Sequence, residues 1–249
     1  MSIELDKGDV VKELDSVARY GMALGFTIQA RTVLVEGTSD VDLFQLAARF
    51  EYEKSGVNLL GNDLAIVAAG ERDRGGTRGV VRELVALRGM ARTCLLQNGN
   101  PRYRFIGLFD NDKAGKQAVK LVRDIDSSIL EYKDVFCLWP VMPLPGNLDP
   151  GTVQRTFERE NNAYKGLEWE LEDLLPQNFI EAFLSAHPMA VSNTKSIADK
   201  VHRDLTREGK AGLHRFIKQH AKCEDLYSVI GALKAIRFYL NLPLATKTG

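Results

Sequence analysis

Two stretches decide the fold: Arg31-Thr-Val-Leu-Val-Glu36-Gly37-Thr-Ser-Asp40 and Tyr103-Arg-Phe-Ile-Gly-Leu-Phe109-Asp110-Asn-Asp112-Lys-Ala-Gly115. Each is a short, almost uninterrupted apolar run, rich in β-branched or aromatic residues, of the kind that fills a strand buried on both faces. Gly37 stops the first and Asp110-Asn-Asp112 stops the second. Thr38, Ser39 and Asp40 offer N-caps for a helix reaching about Tyr52, and a second helix is expected from Lys113 to about Ile125. Between the two stretches lie another strand, Leu64 to Ala68, a Gly-rich turn from Gly70 to Gly79, and a helix over Val80 to Gly89 with Val81, Leu84, Val85 and Leu87 as its apolar positions. A fourth strand follows at Asp134 to Trp139. Strands alternating with helices at this spacing imply right-handed crossovers, hence an α/β fold: a four-stranded, mainly parallel sheet flanked by helices.

Outward from this core, over 31–145, the pattern changes on both sides. Val10, Val11, Leu14, Val17, Ala18 and Met22 have helical spacing, so 1–30 reads as an N-terminal helical segment. From Pro140 to Pro150 four of the chain's eight prolines fall within eleven residues, marking a rigid, irregular connection. Beyond it, 146–249 reads as a short acidic helix at Gly166 to Leu175, closed by Pro176, and a helical C-terminal region from Gln177 to Leu240.

Composition narrows the function classes. The 249 residues carry 33 Lys and Arg against 33 Asp and Glu, which excludes a whole-chain polycation, and 45% hydrophobic residues suffice for a packed core. Cys94, Cys137 and Cys223 form no CxxC pair, and the four histidines have no HExxH or HxH spacing, so neither a disulfide framework nor zinc chemistry is indicated. No stretch approaches the roughly 18 to 20 apolar residues of a membrane helix, and the acidic N-terminus has no signal-peptide core, so a cytoplasmic, membrane-free protein is expected.

In open α/β sheets the functional crevice lies at the carboxyl ends of the strands. Here Glu36 ends the first strand, and Asp110 with Asp112 ends the third. Two or three carboxylates suit a hard divalent cation such as Mg²⁺ or Mn²⁺ together with a phosphate substrate. Taken singly, each acid reads first as a helix N-cap on a solvent-exposed turn.

VLVEGTSD followed by FIGLFDNDKAGK resembles the Toprim domain, whose signature is a strand ending in Glu-Gly and a later strand ending in Asp-x-Asp followed by Gly. Glu36-Gly37, Asp110-Asn-Asp112 and Gly115 match it, and the resemblance covers about 31–140. Asp40 fits the VEGxxD/E form of the nuclease branch, that is, nucleases of the overcoming-lysogenization-defect (OLD) type and Toprim effectors of anti-phage defence systems such as PARIS. The resemblance implies Glu36, Asp110 and Asp112 as catalytic metal ligands for Mg²⁺ or Mn²⁺, and Asp40 as a further ligand or a cap. Within Leu167-Glu-Trp-Glu-Leu-Glu-Asp173, a helix would pair Glu168 with Glu172 and Glu170 with Asp173. The residues leave that choice open; similarity to the nuclease branch favours Glu170 as a metal ligand. Asn193-Thr-Lys-Ser-Ile-Ala198 resembles the Lys-x-x-Ala stretch of the same branch, which implies Lys195 as a catalytic lysine.

The segment from Lys195 to Lys222 holds eight basic residues against three acidic ones. Lys200, Arg203, Arg207, Lys210, Arg215 and Lys218 are therefore candidates for tracking a nucleic-acid backbone. The Gly-rich turn has no Walker motif, so ATP hydrolysis is not expected, although Arg72, Arg74 and Arg78 are candidate phosphate contacts. The expected activity is metal-dependent endonucleolytic hydrolysis of DNA or RNA. By resemblance it serves antiviral defence and is controlled by a separate ABC- or SMC-like ATPase. The alternative is a non-catalytic Toprim module that binds nucleic acid or protein. Leu226, Val229, Ile230, Leu233, Ile236 and Leu240 form an apolar stripe that would pack on its own domain or dock a partner or a second copy.

Overall fold

Four apolar runs pair in the order β2-β1-β3-β4, all parallel: β1 Arg31–Val35, β2 Leu64–Ala68, β3 Arg104–Phe109 and β4 Val135–Cys137. The computed structural model describes residues 14–69 and 75–243. Side chains alternate across the sheet as strand geometry requires. Val33, Val35, Ile66, Ile106, Leu108 and Phe136 enter one buried cluster, whereas Leu34, Ala65, Val67, Phe105, Phe109 and Val135 enter the other. Both faces are covered, so the strands carry apolar residues at consecutive positions instead of alternating them with polar ones.

Helices α1 Ser16–Ala23, α3 Gly76–Ala91 and α4 Lys113–Ile125 supply the second cluster, while α2 Thr38–Ser55 and the late helix at Tyr227–Tyr239 supply the first. The start expected for the first helix at Val10 and Val11 lies outside the described residues, as do Arg72 and Arg74 of the Gly-rich turn. Asp15 caps α1 by accepting the Ala18 N–H at 2.9 Å.

The C-terminal part departs from the sequence reading at three places. The proline-rich connection ends in a helix, α5 Pro150–Glu160, because Asp149 caps it through the Thr152 N–H and Pro150 occupies its first turn. Gly166 to Leu175 is not an α-helix: 167–170 has no regular secondary structure, Glu170 is extended, and a 3₁₀ turn spans Leu171–Leu174. Leu167, Trp169 and Leu171 are buried while Glu168, Glu170 and Glu172 are half-buried. That is a period of two, which an α-helix cannot present. After α6 Gln177–Ala186, the expected run of helices gives way to an antiparallel hairpin, β5 Val191–Ile197 and β6 Lys200–Leu205. Ser, Asn, Thr and Val there disfavour a helix, and a two-residue turn at Ala198 and Asp199, with Ala198 at φ 52°, closes the hairpin.

Two α-helices close the described residues, α7 Arg207–His220 and α8 Tyr227–Tyr239. The apolar stripe from Leu226 to Leu240 is buried in the chain's own core, so it is not a docking face. The cluster it joins crosses residue 145, uniting Val33 and Phe44 with Phe157 and Leu233. Buried Arg237 fastens α8 to the approach of β2 by a two-pronged pair with Asp63, both contacts at 3.0 Å. No helix among the described residues is long and apolar enough to cross a membrane.

Candidate metal centre

β1 and β3 are parallel neighbours with Leu34 opposite Gly107, so the residues that follow them emerge side by side at the carboxyl edge of the sheet. Glu36 and Asp110 are those residues, and the Asp110 N–H points at Glu36 Oε1 from 3.4 Å. α2 begins directly after Glu36. Asp40, in its first turn, accepts the Gly37 N–H at 2.9 Å, so it is a cap and a member of the acidic group together. Asp112 caps α4 through the Gly115 N–H at 2.6 Å. A Cβ on Gly115 would overlap the Asp110 carbonyl oxygen, so only glycine lets the first turn of α4 close on Asp110.

The opposite wall comes from the C-terminal part. The irregular stretch at 167–170 is tied to the strand end by the Asn111 N–H donating to the Trp169 carbonyl at 2.8 Å. Glu170 Oε2 lies 2.7 Å from Lys210 Nζ of α7. Gly209, next to that lysine, is as constrained as Gly115: a Cβ there would overlap the Ala190 carbonyl oxygen. Close seating of α7 on the Pro188–Ala190 turn thus brings Lys210 over the acids.

Six carboxylates meet here, those of Glu36, Asp40, Asp110, Asp112, Glu170 and Glu172, and against them stands Lys210. Burial, then the charges of Asp40 and Asp112, pushes Glu36 up to about 7. Burial and Glu172 push Asp40 up to about 6. Asp110 is raised well above the ordinary carboxylate range by burial and then by Glu36, Glu172, Asp40 and Glu170. Burial on its own would lower Lys210, but Glu172, Glu170 and Asp110 outweigh it and hold the ammonium group above its usual value. An all-oxygen set with surplus negative charge fits a hard divalent cation. Asn111, 1% exposed between the two aspartates, keeps both ends of its side-chain amide unpaired in this corner.

Lys195 is not brought to this site. It sits exposed on β5 with Nζ donating to the Gly166 carbonyl at 2.6 Å, and the ammonium group among the acids is that of Lys210. The basic segment does not form one surface either. Lys200 lies 3.5 Å from Asp199, Arg203 is half-buried on β6, and Lys218 pairs with Asp42 at 2.7 Å. Arg207 and Arg215 stand exposed on α7. Beside Asp40, Glu172 and Lys210 opens a cavity of about 450 Å³, whose other walls include Leu43, Leu46 and Ile217.

A second constellation, which the sequence reading passed over, centres on His202, 2% exposed. Its Nδ1 lies 2.6 Å from Asp173 and its Nε2 3.0 Å from Asp204. Burial opposes its protonation, but the two carboxylates prevail and push it up to about 9. Asp173 also accepts the Glu170 N–H at 2.8 Å, so the backbone carrying Glu170 is anchored to the hairpin. The available signal was His-x-Asp in a strand, where i and i+2 share a face; a search for histidine pairs does not find it. Compared with family models, with curated proteins and with solved structures, the chain matches none.

Proposed function

We propose that the chain is a Mg²⁺- or Mn²⁺-dependent nuclease of the Toprim type that hydrolyses phosphodiesters of DNA or RNA. The observation that carries this reading is the convergence of Glu36, Asp40 and Asp110 behind adjacent parallel strands, with more carboxylate charge than Lys210 balances among the described residues. Control by a separate ABC- or SMC-like ATPase within an anti-phage system belongs to the same proposal and rests on the sequence resemblance.

Glu36 and Asp110 would hold the cation, with Asp40, Asp112 and Glu170 closing the oxygen shell around it. The bound cation would supply Lewis-acid stabilisation of the phosphate and activation of the attacking water. The protein's own groups do the rest. Lys210, oriented by its 2.7 Å contact with Glu170, presents an ammonium group to the charge that grows on the phosphate oxygens or on the leaving oxygen. Glu36, with a pKa near neutrality, is suited to take up a proton once the cation is absent or displaced. The cavity beside Lys210 gives the flanking nucleotide an apolar wall through Leu43, Leu46 and Ile217. Arg207 and Arg215 on α7 are placed to meet the backbone farther out.

The test is incubation of the full chain with Mg²⁺ or Mn²⁺ and a panel of plasmid, single-stranded DNA and tRNA, alone and with its ATPase. Cleavage that Glu36→Gln removes supports the proposal. Absence of cleavage under every condition, with Glu36→Gln indistinguishable in cells, would replace it with the non-catalytic binding module.

A further inference from the structure

The hairpin and the stretch at 167–174 meet at side chains that the nuclease mechanism leaves unused. His202 and Asp204 are two residues apart on β6 and share a face, and Glu168 reaches them from the irregular stretch at 167–170. One ligand atom from each of these three residues lies within 4.8 Å of the other two. The His202 Nε2 to Asp204 Oδ1 separation is 3.0 Å. Two ligands at about 2.1 Å from one tetrahedral ion stand about 3.4 Å apart, so this pair needs to open by only a few tenths of an ångström to become neighbours in a coordination sphere.

Two further observations point to a cation. Asp173 holds His202 Nδ1 from behind at 2.6 Å, which fixes the ring and directs Nε2 towards Asp204 and Glu168. That is the carboxylate–histidine arrangement by which proteins orient a metal-binding imidazole. Glu168 makes no hydrogen bond or ion pair among the described residues, although its two neighbours are fully engaged. Three carboxylates, those of Asp173, Asp204 and Glu168, thus surround one imidazole, and negative charge is left over.

We propose that Glu168, His202 Nε2 and Asp204 form a three-ligand site for a borderline divalent ion, Zn²⁺ foremost, with a fourth position open to water. A nitrogen donor beside two carboxylates suits Zn²⁺ better than Mg²⁺, whose preferred shell is all oxygen. The ion takes the place of the Nε2 proton, and one proton leaves for each ion bound. Bound there, it clamps the 167–174 stretch to the hairpin and so holds Glu170 in place against Lys210. The site does not depend on the nuclease reading.

The experiment uses the full chain in an Asp110→Asn background, so that the acidic cluster contributes little to metal binding. The metal-stripped protein is titrated with Zn²⁺ by calorimetry, and with Co²⁺ by visible absorption. One Zn²⁺ should bind, raise the melting temperature, and release a proton detectable as buffer-dependent heat; Co²⁺ should give the intense bands of a low-coordinate site. Glu168→Gln and Asp204→Asn should each weaken Zn²⁺ by at least the ~10- to 100-fold that loss of an outer hydrogen-bond partner costs. His202→Gln should abolish binding. Should that variant fail to fold, Glu168→Gln still decides, because its carboxylate makes no hydrogen bond or ion pair among the described residues. No Zn²⁺ bound by the parent, or equal affinity in Glu168→Gln and parent, overturns the proposal. Cleavage by the wild-type chain is scored separately, so failure of either site leaves the other legible.

Discussion

At the carboxyl edge of the sheet, carboxylates crowd one another; at the hairpin, carboxylates crowd an imidazole. The two regions are built from similar acids, joined through Glu170 and Asp173, and burial raises Asp173 as it raises Asp110, whereas the more exposed Asp204 moves the other way. Asp110 is raised well above the ordinary range by burial and by its acidic neighbours. Asp204 is lowered, by its hydrogen bond from Asn193 and then by His202. The first region is all oxygen and short of positive charge; the second offers a nitrogen donor and already has a charged partner in place. Acid content alone therefore does not identify the ion a site takes. What distinguishes the regions is which cation, if any, the fold brings within hydrogen-bonding range.

The strongest way to break this comparison is to remove one charge from the crowded site. Asp110→Asn or Glu36→Gln should cut metal-dependent cleavage by about 10³-fold, as loss of a principal electrostatic group does, while the metal-free melting temperature rises because repulsion falls. A fall in melting temperature measured by calorimetry would mean that the acids are not in surplus. Next comes the lysine. Lys210→Met should lower kcat about 10²-fold, and Lys195→Met should leave it unchanged; the reverse pattern would restore the lysine expected from sequence.

The pH dependence sharpens the comparison, because both regions contribute with the same sign for different reasons. Glu36, at about 7 when folded, keeps its proton where the unfolded chain has lost it, so between pH 4.5 and 7 the folded state binds more protons and stability falls as pH rises. His202, at about 9, contributes stability that is complete below pH 6.5 and is lost as pH climbs through 9. Metal-free denaturation curves should thus show stability declining from pH 5 to pH 9, by on the order of 2 kcal/mol for each region. Glu36→Gln should flatten the lower half of that decline, and His202→Gln the upper half. Saturating Mg²⁺ should restore stability at pH 8 in the wild type but not in Glu36→Gln.

Smaller effects test how the walls are held together. Gly115→Ala and Gly209→Ala each drive a methyl group into a carbonyl oxygen and should cost about 1–3 kcal/mol in urea unfolding. Gly209→Ala should also weaken the Lys210 contact and so reduce kcat, whereas a change in stability alone would dissociate α7 seating from catalysis. Smallest of all, Arg207→Glu and Arg215→Glu should weaken nucleic-acid binding and reduce the salt slope by about 1 per site. An unchanged slope would place the backbone on another face.

Much of the core was legible because its signals are local. The runs at Arg31 to Val35, Leu64 to Ala68 and Phe105 to Phe109 are of the kind that fills buried parallel strands, and the crossovers between them follow from chain handedness. Once those strands are neighbours, Glu36 and Asp110 must emerge together. The acidic stretch at 167–173 carries its own signal, since its apolar residues alternate, and that period of two outweighs the spacing of acids four apart. The turn at Ala198 was harder to read, because alanine seldom takes a positive φ.

By itself, then, the sequence determined the sheet, its crossovers and the acids at its carboxyl edge. Tertiary structure decided which cation faces them and what the other acids do. The sequence resemblance favours Lys195 over Lys210; the fit of Gly209 against Ala190 sends Lys210 to Glu170, while hairpin pairing leaves Lys195 on the surface. His202 likewise gains its meaning from Asp173, 29 positions away in the chain. Local pattern sets backbone conformation through sterics and periodicity, but proximity between distant side chains is a property of packing, and packing is settled only when the whole core closes.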